Sequence, residues 1–253
     1  MGKAMKNVSA YFAIAQVHYN PISLEIYLAK IREKFRLAGY TDFEKKEFTT
    51  FDIASISAPH PITQQSQYYV FSNMDGSSSF VLNQNALSFQ TTNYSTFEMF
   101  SNTLFQGLEI VHKTVISGLD FSEQIGMRFL NAVIPKTAET LHQYLIPEVL
   151  GLYGKLEGRS VRAFSESLNQ TASNVSLISR VIIHEGPLGF PPDLQPIKGQ
   201  TGSHFLKTVG IHATIDIDAV HKARELFKLE NLNSCLRVLH DETRKTLKTI
   251  RKG

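Results

Sequence analysis

The chain has a single cysteine, Cys235, no tryptophan, and a net charge of only +3 over 253 residues. Each scarcity narrows what the protein can be. One thiol excludes an intramolecular disulfide framework and any multi-cysteine zinc site, and it fits a reducing compartment. No stretch approaches the roughly 20 apolar residues that a membrane-spanning helix requires. The apolar segment Ala10 to Val17 follows Lys3 and Lys6 but is short and has no small-residue cleavage site behind it, so it does not read as a signal peptide. The expected location is cytoplasmic, with no membrane partner. The small net charge does not by itself announce a nucleic-acid binder. What is present is an ordinary globular composition, 42% hydrophobic and 19% charged. At about 150 residues per domain the length fits one large domain or two small ones.

Periodicity supplies the elements. Ser9 to His18 alternates as a strand and ends at Asn20-Pro21. From Ile22 to Leu37 the apolar residues recur at three- and four-residue steps, predicting a helix stopped by Gly39. Phe43 to Ser57 suggests a second strand, and His60 between Pro59 and Pro61 marks a turn. Tyr68 to Phe71, the Asn73-Met74-Asp75-Gly76 turn and Ser79 to Leu82 form the clearest hairpin, and a turn at Asn83 to Asn85 extends it to Leu87 to Gln90. Tyr94 to Val115 has the strongest helical spacing, with Gly118 beyond, and Phe121 to Val133 returns as a strand.

A short helical piece, Ala138 to Tyr144, precedes a linker-like stretch from Gly151 to Gly158. Two strands follow, Ser160 to Thr171 and Val175 to His184, and then Gly186 to Gly202, dense in proline and glycine, predicts a long loop. Phe205 to Ile217 reads as a strand with Asp218 placed to cap a helix, and the leucine spacing from Leu229 to Ile250 is helical. Clustered strands with interspersed helices predict an α+β fold with mostly antiparallel sheet, which a pair of ferredoxin-like modules would satisfy. The corresponding division is residues 1–150 and 159–253, or one continuous domain.

Several short motifs occur together: Phe71-Ser72-Asn73-Met74-Asp75-Gly76, then Arg128-Phe129-Leu130-Asn131, then Asp216-Ile217-Asp218, then Leu239-His240-Asp241-Glu242. In this order they resemble a sporadically distributed family of bacterial and archaeal proteins of similar length and unassigned function. The resemblance implies a gene of the mobile or defence-associated kind. The chain departs from that pattern in having no tryptophan and in its basic tail.

Strand alternation places His212, Thr214, Asp216 and Asp218 on one face, with His221 nearby. Two carboxylates and an imidazole on one side can ligate a divalent metal; alternatively they form a solvated strand face. Arg128 lies among apolar neighbours, on the opposite strand face from Asn131, and needs an acidic partner if buried, which makes it a structural clamp or an anion site. His240, Asp241 and Glu242 are consecutive on a helix and do not share a face. Cys235 between Leu232 and Leu236 reads as a small core residue. No Ser-His-Asp signature, P-loop or dinucleotide fingerprint is present, and no cofactor is expected.

Charge is uneven along the chain. His60 to Met127 carries one basic residue against five acidic ones, whereas from Ala219 onward nine basic residues face four acidic ones. Arg244, Lys245, Lys248, Arg251 and Lys252 make a candidate basic surface. The leading functional expectation is a non-enzymatic protein that acts by binding another protein or itself, within a defence or mobile-element cassette. The alternatives are an RNA- or DNA-binding protein or ribonuclease, and a metal-dependent hydrolase using His212, Asp216 and Asp218.

Overall fold

The computed structural model describes residues 8–51, 63–191, 194 and 210–252. Among these residues nine strands form one antiparallel sheet: β1 (Val8–Tyr19), β2 (Asp42–Phe51), β3 (Thr63–Ser72), β4 (Ser78–Leu82), β5 (Ala86–Thr91), β6 (Phe121–Val133), β7 (Arg162–Gln170), β8 (Ser176–Glu185) and β9 (Ile211–Leu226). Their order across the sheet is β2-β3-β4-β5-β1-β6-β9-β8-β7. Four helices accompany them among the described residues: α1 (Leu24–Leu37), α2 (Phe97–Thr114), the short α3 (Pro147–Leu150) and α4 (Leu229–Ile250). The architecture is α+β with an antiparallel sheet. The sheet is continuous through the β6–β9 pair, which joins the segments on either side of Gly151 to Gly158. No helix among the described residues is long and apolar enough to cross a membrane.

Local chemistry accounts for the element ends. After α1, Gly39 adopts φ +94, its N–H bonds Arg36 O and the Tyr40 N–H reaches Phe35 O, which together form a Schellman stop. Thr96 accepts from the Met99 N–H at 3.2 Å and so starts α2. In the β3–β4 hairpin Asn73 accepts from the Ser78 N–H and Asp75 from the Ser77 N–H, while Gly76 supplies φ +67. Asp75 is thus occupied in building the turn.

The three long helices cover one face of the sheet. Alternation along β6 and β9 sends Ile125, Met127, Phe129, Ala213, Ile215 and Ile217 into that layer, where they meet Leu104, Leu108, Leu236 and Leu239. Phe35 stacks on Phe71 at 4.6 Å between ring centres, and His240 of α4 stacks on Phe97 of α2 at 4.1 Å. Burying a leucine or phenylalanine side chain of this kind contributes about 1.5–3 kcal/mol. The opposite face carries a second, smaller apolar cluster of Tyr11, Phe12, Leu130, Ala132 and Leu188.

Three expectations are corrected. Asp218 does not cap a helix: it lies inside β9, opposite Arg128 on one side and Ile178 on the other, and the strand continues to Leu226. The reason is pairing, since β6 supplies partners for β9 as far as Phe121↔Leu226. The helical piece at Ala138 to Tyr144 contracts to a 3-10 turn at Leu141–Gln143, because Ala138 sits at positive φ and Thr140 begins the turn with a capping box to Gln143. His221 does not approach Asp216, for the reason given below. The expected turn at His60, the end of the second strand at 52–57, most of the Gly186 to Gly202 loop and the start of the Phe205 strand lie outside the described residues.

Candidate functional site

The face of the sheet away from the long helices holds the charged residues. Even-numbered positions of β9 and β6, including His212, Thr214, Asp216, Asp218 and Arg128, fall on this side. Arg128 donates through Nε and Nη2 to the two carboxylate oxygens of Asp216, both at 2.8 Å. Arg180 on β8 lies directly across from Asp216 in register and donates to its Oδ2 at 3.3 Å. Arg180 Nε also reaches Glu166 on β7, again its direct cross-strand neighbour. The result is a ladder of alternating charge, Arg128, Asp216, Arg180 and Glu166, spanning β6, β9, β8 and β7.

Asp216 is fully buried. A lone buried carboxylate would be severely destabilising, and a bidentate guanidinium is the geometry that offsets its desolvation best. Burial works against the Arg180 charge, but Glu166 and Asp216 hold its affinity for the proton above the ordinary value. Within the ladder two guanidiniums face two carboxylates, with Asp218 standing opposite Arg128 in register beside them, and both oxygens of Asp216 are occupied. Nε and Nη2 of Arg128 are both committed to Asp216 within the fold.

A β-bulge in β1 shapes the neighbouring apolar patch. The register with β6 shifts between Ala10 and Phe12, so Tyr11 and Phe12 both join the cluster on this face. Phe190 packs edge-on against Phe12, and the Tyr11 hydroxyl donates to Gly189 O at 2.8 Å. Burial pushes the Tyr11 pKa upward. The segment after β8 therefore lies across β1 and β6. Two cavities flank it, one of about 190 Å³ beside Gln16, Arg128 and Asp218, the other about 310 Å³ beside Arg162, Phe164, His184 and Phe190.

The remaining sequence candidates are dispersed. His221 is an odd-numbered residue of β9, so it belongs to the face opposite Asp216, where its Nδ1 lies 3.1 Å from Asn174 O. Among the described residues no three His, Cys, Asp or Glu side chains come together to hold a metal ion. Asn131 takes the helix side, with Nδ2 3.5 Å from Ile215 O. Cys235 is half-buried, and burial pushes its thiol up to about 11, which suits packing and not nucleophilic attack. In the terminal region Lys245 pairs with Glu242, Lys252 Nζ donates to His142 O, and Arg251 forms a β-bridge with Leu145. Arg244 and Lys248 are exposed.

The sequence reading overlooked Arg180, Glu166 and His184. Alternation in the β7 and β8 segments carried a signal for the first two, because opposite charges at matching parity on adjacent strands can pair across them. It also overlooked the contrast between the two sheet edges. β2 at one edge carries Asp42, Glu44, Lys45, Lys46 and Glu47, with ion pairs Lys45–Glu47 and Lys46–Glu44. β7 at the other edge leaves Phe164 57% and Leu168 70% exposed. Comparison with protein-family models, with curated proteins and with solved structures finds no match to this chain.

Proposed function

We propose that the protein acts by binding, without catalysis, and that its binding element is the β7 edge, which pairs with the β7 edge of a second copy. The observation that carries this reading is the asymmetry of the sheet edges. Charged side chains along β2 are the usual protection against edge-to-edge association. β7 has less of that protection, since its Glu166 is engaged by Arg180 within the same chain and its other charged residue, the exposed Arg162, stands at the very start of the strand. Exposed apolar residues also concentrate there: Leu152, Leu156, Val161, Phe164 and Leu168 fall on β7 and the stretch leading into it.

Self-pairing has a natural register. An antiparallel β7–β7 pair centred on Glu166 sets Phe164 opposite Leu168 of the other copy, twice by symmetry, which matches apolar to apolar. Each Glu166 then keeps its own Arg180 beside it, which tempers the repulsion between the two carboxylates. Main-chain hydrogen bonds along the edge would add affinity in the manner of strand addition.

Sedimentation equilibrium of the full chain tests this. A dimer is expected, and Phe164→Lys with Leu168→Lys is expected to yield monomer with unchanged far-UV circular dichroism. A wild-type monomer at every concentration up to hundreds of micromolar would overturn the self-pairing.

In the same spirit, the order β6-β1-β5-β4-β3-β2 of the N-terminal half is read as a ferredoxin-like module with two strands added to its meander; β7, β8, β9 and α4 have no second copy of that pattern. The nucleic-acid alternative draws less support, because within the basic tail Lys245 pairs with Glu242 and Lys252 Nζ donates to His142 O, although Arg244 and Lys248 stay exposed.

A further inference from the structure

We propose that His184 and His212 form a binding site for a divalent transition-metal ion of the zinc and copper class, a pairing that shares only His212 with the His212, Asp216 and Asp218 set. The two residues are directly opposite each other on β8 and β9, and their rings lie 4.1 Å apart between centres. His212 is fully buried. Its Nδ1 lies 3.2 Å from Gly210 O, and His184 Nε2 lies 3.1 Å from Pro187 O. A carbonyl oxygen only accepts, so each of these nitrogens carries the proton.

The tautomers are thereby fixed. The other two nitrogens, His184 Nδ1 and His212 Nε2, are left with lone pairs, and both are buried with no hydrogen-bond partner among the described residues. Two acceptors cannot satisfy one another, and an unpaired buried polar atom costs about 1–3 kcal/mol. A cation that accepts both lone pairs removes both deficits at once. Imidazole nitrogens suit zinc, copper and nickel. Metal-ligating histidines characteristically donate their second ring nitrogen to a backbone carbonyl or carboxylate, which is the arrangement of both rings here.

Directly paired cross-strand residues hold their Cβ atoms about 4.5–5.5 Å apart, and the two rings meet edge to face at 4.1 Å between centres, which brings both imidazoles to one place. Among the described residues no cluster of three such ligands forms, so water or an exogenous donor completes the coordination. The cavity of about 310 Å³ that His184 lines offers the room and the way in.

The test is calorimetric titration of chelator-treated full-length protein with zinc chloride, together with ¹⁵N NMR of the histidine rings. One ion per chain is expected, with affinity falling at least about tenfold in His184→Ala. Because His212 is wholly buried, its replacement can disturb folding; the wild-type NMR experiment avoids that difficulty. Zinc should move the resonances of His184 Nδ1 and His212 Nε2. Absence of saturable uptake, uptake undiminished in His184→Ala, or binding that leaves both resonances in place would each overturn the site.

Discussion

Arg128 on β6 grips both oxygens of Asp216 on β9, each at 2.8 Å, and Asp216 is wholly withdrawn from solvent. These two residues join the strands at the middle of the sheet, where the N-terminal and C-terminal segments meet. Removing the carboxylate leaves two guanidiniums facing each other without their shared counter-ion. Asp216→Ala should therefore destabilise the fold by about 3–5 kcal/mol. The double variant Arg128→Met with Asp216→Leu should lose less than the sum of the single changes, because it removes the stranded charge as well as the pair. Urea denaturation of the four proteins measures the coupling; strict additivity would contradict the clamp.

Close packing makes a second prediction. A Cβ on Gly107 of α2 would stand 2.3 Å from Phe80 Cε1, inside the aromatic layer where Phe80 also meets Phe35, Tyr40 and Phe89. Although alanine favours helix over glycine, the overlap dominates at this site. Gly107→Ala should lower stability by about 1–3 kcal/mol. A raised melting temperature in this variant would show that the layer yields more readily than its geometry indicates.

Three histidines predict the acid response. Burial lowers the pKa of His18, His212 and His240 below the ordinary 6.5. The unfolded chain therefore takes up protons first as pH falls. The stability held by the neutral rings is complete above pH 6.5 and is lost as pH drops through the lower folded-state values. Melting temperatures measured in chelator-containing buffers should be level from pH 8 to 7 and decline below 6.5. His240→Phe, which keeps a ring on Phe97, should flatten that decline. Stability that rises between pH 7 and 5.5 would contradict the assignment.

The sequence made some of this legible because the causes were local. Gly39 after an amphipathic run, Thr96 before one, and Asn73-Met74-Asp75-Gly76 between alternating strands each act through neighbouring backbone. The sequence ends the β9 strand at Ile217 because Asp218 resembles a helix cap, whereas the force that extends it is pairing with β6, distant in sequence. The shared face of His212, Asp216 and Asp218 followed from parity alone, and parity equally places His221 on the other side. Arg180 and Glu166 became neighbours only through the β7–β8–β9 register, and the tautomers of His184 and His212 depend on carbonyls whose positions no sequence spacing reveals. The basic tail was visible as charge, but its engagement with His142, Leu145 and Glu242 was not.

The most direct test of the proposed interaction is a register-specific disulfide experiment in a Cys235→Ser background. Protein carrying Phe164→Cys is mixed with protein carrying Leu168→Cys under mild oxidation, and the cross-linked species are identified by mass spectrometry. Pairing centred on Glu166 brings residue 164 of one copy against residue 168 of the other, while like positions stand about 13 Å apart along the strand. The mixed 164–168 cross-link should therefore dominate over both like-to-like products. Random cross-linking, or none at all, would contradict the β7–β7 interface.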